Sequence, residues 1–183
     1  MRKSLAVFRP GGVLINLAMI AGLVFFGAAK ASSEGAVVCP QPHSDGVSVI
    51  NQQHVFCGEV LENRAQGFHS RPSGHWPFGV TLRQTTTTRP RGPYGVYVLR
   101  GFDIAQHGVR ATKTLSTMFP DACSQAKVVA AIQHAFNNGE LIGRRFRGPS
   151  GASCQAGNPA ASFDIVGYMD ATGTVVTTAF PDY

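Results

Sequence analysis

With 183 residues, the chain has the length of one domain plus a short leader. Its formal charge of +6 and pI of about 9.5 overstate the basicity of the body. Arg2, Lys3, Arg9 and Lys30 all precede residue 32, and without them the charge falls to +2. Overall basicity is therefore excluded as evidence for a polyanion partner, and the distribution of charge has to carry that question.

The first nine residues carry three cations, and residues 17–29 are an unbroken run of 13 apolar or small residues ending in Ala29-Lys30-Ala31. A positive start, an apolar run and a small-residue end describe a secretory signal peptide cleaved after Ala31. The domain division expected is thus 1–31 leader and 32–183 mature domain, secreted or periplasmic, with no stable membrane association after cleavage. The alternative is an uncleaved anchor. Extended back to Val13 the run has 17 residues and includes Asn16, the short edge of a spanning helix. No Cys sits at the end of the apolar run, which argues against a lipoprotein.

Residues 32–49 read as a polar surface segment, and 49–62 as a helix. Residues 64–93, rich in Gly, Pro, Thr and Arg, read as loop with short strand pieces. Val96 to Leu99 mark a strand over 95–104. The clearest helix is 124–137, where Val128, Val129, Ile132, Ala135 and Phe136 keep a helical period. Asp121 or Ser124 can cap its start, Asn138-Gly139 can end it, and His134 falls on its exposed side. Residues 139–158 read as loop, with a basic cluster at Arg144, Arg145 and Arg147. Two strands joined by a turn at 170–173 close the chain. The mix is one α+β domain with antiparallel strands.

Charge is unevenly spread. Residues 32–63 hold four acids and no Lys or Arg, 64–147 hold 12 cations against three acids, and 148–183 hold three acids and no cation. The basic centre suits a phosphate-facing surface or an ordinary solvated face.

Four cysteines follow the leader: Cys39, Cys57, Cys123 and Cys154. An even count in an exported chain implies two disulfides. No pair has C-x-x-C spacing, which speaks against a zinc knuckle. Of the three possible pairings, Cys39–Cys57 and Cys123–Cys154 each close a moderate loop and are preferred on that ground.

Of six histidines, His54 and His69 have informative flanks: His54-Val55-Phe56-Cys57-Gly58-Glu59 and Gly67-Phe68-His69-Ser70. Only Lys113 and Lys127 remain as lysines after the leader. Lys127 lies inside the expected helix, whereas Lys113 precedes Ser116-Thr117-Met118-Phe119-Pro120. Thr178-Ala179-Phe180-Pro181 stands near the end. Together, and in this order, these four segments resemble the motifs of the bacterial branch of the EndoU endoribonucleases, and they span 51–181. The sequence departs in having Phe180 where the family often has Tyr, which keeps a ring and loses a hydroxyl. It also has Cys123 in the neighbourhood where the family often has Trp.

RNA cleavage by the 2′-hydroxyl needs a base for that proton, an acid for the leaving 5′-oxygen, and positive charge near the phosphorane. Two histidines and a lysine can supply these without a metal or other cofactor, and no carboxylate set has metal-site spacing. The resemblance implies His69 as base, His54 as acid and Lys113 as counter-charge. It also implies Thr178 on phosphate or base, Phe180 packed on the nucleoside, and a hydroxyl from Ser116 or Thr117. It implies a compact fold with two small antiparallel sheets flanked by helices, and preference for uridine or another pyrimidine in single-stranded RNA. It opens the reading of an antibacterial toxin with a neutralising immunity protein. A catalytically silent RNA- or polyanion-binding module and a disulfide-held envelope protein remain as alternatives.

Overall fold

The computed structural model describes residues 39, 50–91, 94–156 and 161–182. The leader and its cleavage point therefore lie outside the described residues, as does the expected surface segment 32–49 apart from Cys39. Among the described residues no helix is long and apolar enough to cross a membrane.

Asn51 starts the first helix, α1 (Gln52–Phe56), by accepting the His54 amide on its side chain at 3.1 Å. The helix expected over 49–62 stops after these five residues. Gly58 turns to φ +71° and the chain folds back as a hairpin of β1 (Glu59–Leu61) and β2 (Arg64–Gln66). Glu62 and Asn63, both at positive φ, make its two-residue turn.

Next comes an antiparallel three-stranded sheet in the order β3-β4-β5: β3 (Val80–Arg91), β4 (Val96–Gln106) and β5 (Val109–Met118). Where loop with short strand pieces is expected over 64–93, the second half of the segment is one 12-residue strand. Its threonines suit an exposed pleated surface, and its place at the sheet edge tolerates Pro90. No element is expected from sequence over 105–120, where β5 runs.

Ser124 caps α2 (Gln125–Asn138), and Val128, Ala131, Ile132 and Ala135 form its buried stripe. Asp121, the other candidate cap, instead accepts the Tyr97 hydroxyl at 2.7 Å and pairs with Arg71. His134 is not simply exposed: it is partly buried, with Nδ1 2.9 Å from the Pro149 carbonyl oxygen.

The chain ends in a four-stranded antiparallel sheet of β6 (Glu140–Ile142), β7 (Arg145–Pro149), β8 (Asp164–Met169) and β9 (Val176–Pro181). Residues expected as loop over 139–158 supply β6 and β7. Of the basic cluster, Arg145 and Arg147 form the outer side of β7, since Phe146 between them is fully buried, and Arg144 lies in the turn before it. One core joins α1, α2 and this sheet through Phe56, Ile132, Phe146 and Ile165. A second, around Phe68, Leu99, Phe102 and Met118, belongs to the three-stranded sheet and the hairpin. The architecture is α+β as expected, with three small antiparallel sheets rather than two. The cysteines pair as Cys39–Cys57 and Cys123–Cys154.

Candidate active site

A cleft of about 340 Å³ opens where β5 of the three-stranded sheet meets β9 of the four-stranded one. His54, His69, Lys113, Thr178 and Phe180 line it. The residues come from α1, β5, β9 and the loop that follows β2, so the site exists only in the folded chain. The two imidazoles lie 6.0 Å apart between ring centroids.

Backbone hydrogen bonds hold the two histidine segments together. The Phe68 amide donates to the His54 carbonyl and the His69 amide to that of Val55, each at 2.7 Å. The Phe119 amide in turn donates to the His69 carbonyl at 2.7 Å, tying the segment to the end of β5. Gly67 allows this closeness. It sits at φ +69°, and a Cβ there would stand 2.2 Å from the His54 carbonyl oxygen.

His69 is almost fully buried, and its Nδ1 lies 3.0 Å from the Thr117 carbonyl oxygen. A carbonyl can only accept, so Nδ1 carries the proton and Nε2 keeps a lone pair. Ser116 Oγ stands 2.9 Å from the same nitrogen and donates to the Phe68 carbonyl at 2.6 Å. Of the two expected hydroxyl contributors, Ser116 thus supports His69, and Thr117 offers it a backbone oxygen. Burial, foremost, with the positive charge of Lys113 and the neighbouring His54, holds the His69 pKa well below the usual histidine range. The ring is neutral at neutral pH, the form a general base requires.

His54 rests on a different partner. The Glu59 carboxylate accepts its Nδ1–H at 2.6 Å, and this hydrogen bond holds the Glu59 pKa below the ordinary carboxylate value. The contact fixes the ring and directs the other nitrogen elsewhere. Glu59 closes the His54 motif in the sequence, which by itself assigns it no role. The H-x-x-x-x-E spacing was the signal, and it becomes contact only through the turn at Gly58.

Lys113 is half-buried on β5 opposite Phe102 and has no carboxylate partner among the described residues. Burial lowers its pKa from the usual lysine value. Across the cleft, the Thr178 hydroxyl is buried without a hydrogen-bond partner among the described residues. Phe180 sets its ring 5.0 Å from that of His69. The cleft thus combines a neutral imidazole, a carboxylate-held imidazole, a cation, an unused hydroxyl and an aromatic wall. No group of three or more His, Cys, Asp or Glu arranged to hold a metal ion occurs among the described residues.

A family model described as bacterial EndoU nuclease matches residues 48–183. No curated protein and no solved structure matches the chain.

Proposed function

The chain belongs to the bacterial EndoU nuclease family, and from that premise we propose that it is an endoribonuclease cutting single-stranded RNA by attack of the substrate's own 2′-hydroxyl. The observation that carries this reading is the convergence of His54, His69 and Lys113 on one cleft, with the two rings 6.0 Å apart. Nε2 of His69 takes the 2′-proton, and O2′ forms a bond to phosphorus. The bond from phosphorus to O5′ breaks, and His54 delivers a proton to that oxygen. Lys113 and the Thr178 hydroxyl face the charge that grows on the phosphoryl oxygens. The products are a 2′,3′-cyclic phosphate and a 5′-hydroxyl, with no metal taking part. Phe180 packs on the nucleoside, which is uridine or another pyrimidine.

A single 2′-deoxyuridine at the cut site tests the chemistry. The substituted strand should bind and resist cleavage, while the all-ribose strand is cut in excess EDTA. Equal cleavage of both strands refutes the reading, because water or a side chain would then be the nucleophile. A silent polyanion-binding module would leave both strands whole.

Residues 1–31 direct export and are removed, giving a mature chain of residues 32–183 in the periplasm or medium, free of the membrane. N-terminal sequencing should read Ser32; intact Met1 chains in the membrane fraction would overturn this. As a toxin, the enzyme would be matched by a neutralising immunity protein in the producing cell. Sequence features that support export are the leader pattern and the even cysteine count.

A further inference from the structure

The four-stranded sheet has two unlike faces. Phe146, Ile165 and Ala179 are buried in the core with α2. The register sets a different row on the opposite face: Ile142 beside Arg145, Arg145 beside Tyr168, Tyr168 beside Thr178. This row leads from solvent into the cleft, because Thr178 and Phe180 line it. Tyr168 is 41% exposed and Ile142 63%.

The rings continue one another. His69 follows His54, Phe180 follows His69 at 5.0 Å, and Tyr168 follows Phe180 at 6.5 Å with a tilt of 32°. The charges differ along β7. Arg147 is bound to Asp164 and Asp182 at 2.8 and 3.1 Å, whereas the exposed Arg145 makes no ion pair among the described residues. An aromatic surface beside an uncommitted guanidinium suits single-stranded nucleic acid, with a base on the ring and a phosphate on the cation.

We infer that this row is a second nucleotide subsite: Tyr168 stacks the base immediately 5′ of the attacked nucleotide, and Arg145 holds its phosphate. The polarity follows from the order of the rings and rests on the roles proposed above. His54 serves the leaving 3′ side, His69 the 2′-hydroxyl and Phe180 the nucleoside that bears it. Tyr168 comes next, on the 5′ side. The row is continuous with the cleft, so the occupant is the same RNA strand.

The test uses labelled oligonucleotides with 2′-deoxyuridine at the cut position, followed by anisotropy on the full chain with its disulfides intact. One strand has a normal 5′ neighbour and the other is abasic there. The wild-type protein should bind the normal strand about 5- to 150-fold more tightly, the range base–aromatic stacking supports. Tyr168→Phe should keep that preference, and Tyr168→Leu and Tyr168→Ala should erase it. Arg145→Ala should weaken both strands and reduce the salt slope by about 1. Absence of the preference in the wild type, or its survival in Tyr168→Leu, overturns the subsite; a row built for a protein partner gives that result. Cleavage of the matching all-ribose strand is measured alongside. Cleavage without any effect of the 5′ base removes the subsite alone. A base preference without cleavage removes the nuclease reading and leaves a binding site.

Discussion

Gly67 lies against the backbone of His54 so closely that an added Cβ would stand 2.2 Å from its carbonyl oxygen and 2.9 Å from its ring Cδ2. The same residue precedes Phe68, itself at φ +56°, in the turn that delivers His69. Two left-handed residues in succession aim the second histidine at the first. Gly67→Ala should therefore lower stability by more than about 1 kcal/mol, since both the φ and the contact oppose a side chain. It should slow RNA cleavage further than that loss explains, because the clash falls on the His54 segment. Denaturant unfolding and rates on folded protein separate the two effects. Wild-type stability and rate in the variant would show that the segment yields freely.

Replacing either histidine by alanine should reduce the cleavage rate about 10²–10⁴-fold, the usual contribution of a positioned acid or base. Lys113→Ala should slow cleavage as well, since it removes the cleft's cation, proposed above to face the phosphoryl group. All three variants should retain the wild-type far-ultraviolet dichroism. A variant that is folded and fully active would remove that residue from the mechanism.

On the proposed mechanism Glu59 acts through His54, whose ring it holds, and is a positioning residue. Glu59→Ala frees the ring and should cost about 10²-fold in kcat with little change in KM, the scale of a small misplacement of a catalytic group. Glu59→Gln keeps an oxygen that can accept from Nδ1, so it should lose less in rate while altering the pH profile. A loss confined to thermal stability, with the pH profile unmoved in both variants, would make the contact merely structural.

The site was more legible than the fold around it, for physical reasons. Short segments such as Gly67-Phe68-His69-Ser70 and Thr178-Ala179-Phe180-Pro181 carry special backbone shapes and chemistry locally, so they stand out without knowledge of the partners. The pairing of Glu59 with His54 did not stand out. Reading 49–62 as one helix hides the turn at Gly58 and the hairpin at Glu62-Asn63, where neither left-handed residue is glycine. The edge strand β3 was hidden by composition, since Thr, Arg and Pro on an exposed strand look like loop. The helix α2 was plain because its buried stripe, Ser124 cap and terminal Gly139 all agree. The alignment of Tyr168 with Phe180 is likewise hidden in the sequence, because it needs the register of β8 and β9.

The lowered pKa of His69 fixes the sign of two pH effects. Burial, the charge of Lys113 and the neighbouring His54 make the folded state bind its proton less readily than the unfolded chain. Stability from this group is full above the ordinary histidine value of 6.5 and falls as pH drops from there through the lowered folded value. Glu59, with its own lowered pKa, loses its contribution separately, as pH falls below about 4.5. Thermal unfolding followed from pH 7.5 to 5 should show a falling Tm, and His69→Gln should flatten the decline above pH 5. The acid limb of kcat/KM should also lie below 6.5, because the base stays neutral there. A Tm that is constant or rises on acidification would contradict this account of His69.

The disulfides should affect stability and activity differently. Cys39–Cys57 spans a sequence separation of 18 and Cys123–Cys154 one of 31. Each should stabilise by about 2–4 kcal/mol, and the longer loop by about 0.5 kcal/mol more if unfolded-chain entropy dominates. Cys57 lies three residues past His54 and one before the Gly58 turn that brings Glu59 back to the ring. Cys123–Cys154 anchors the start of α2 in the core, and neither cysteine adjoins a cleft histidine in the sequence. Paired alanine replacement at Cys39 and Cys57 should therefore reduce cleavage even where the protein remains folded. Replacement at Cys123 and Cys154 should act chiefly by lowering Tm. Rates measured well below each variant's Tm, beside thiol trapping that finds no free cysteine in the oxidised wild type, would check both points. Equal specific activity of the two folded variants would detach the first disulfide from the His54 segment.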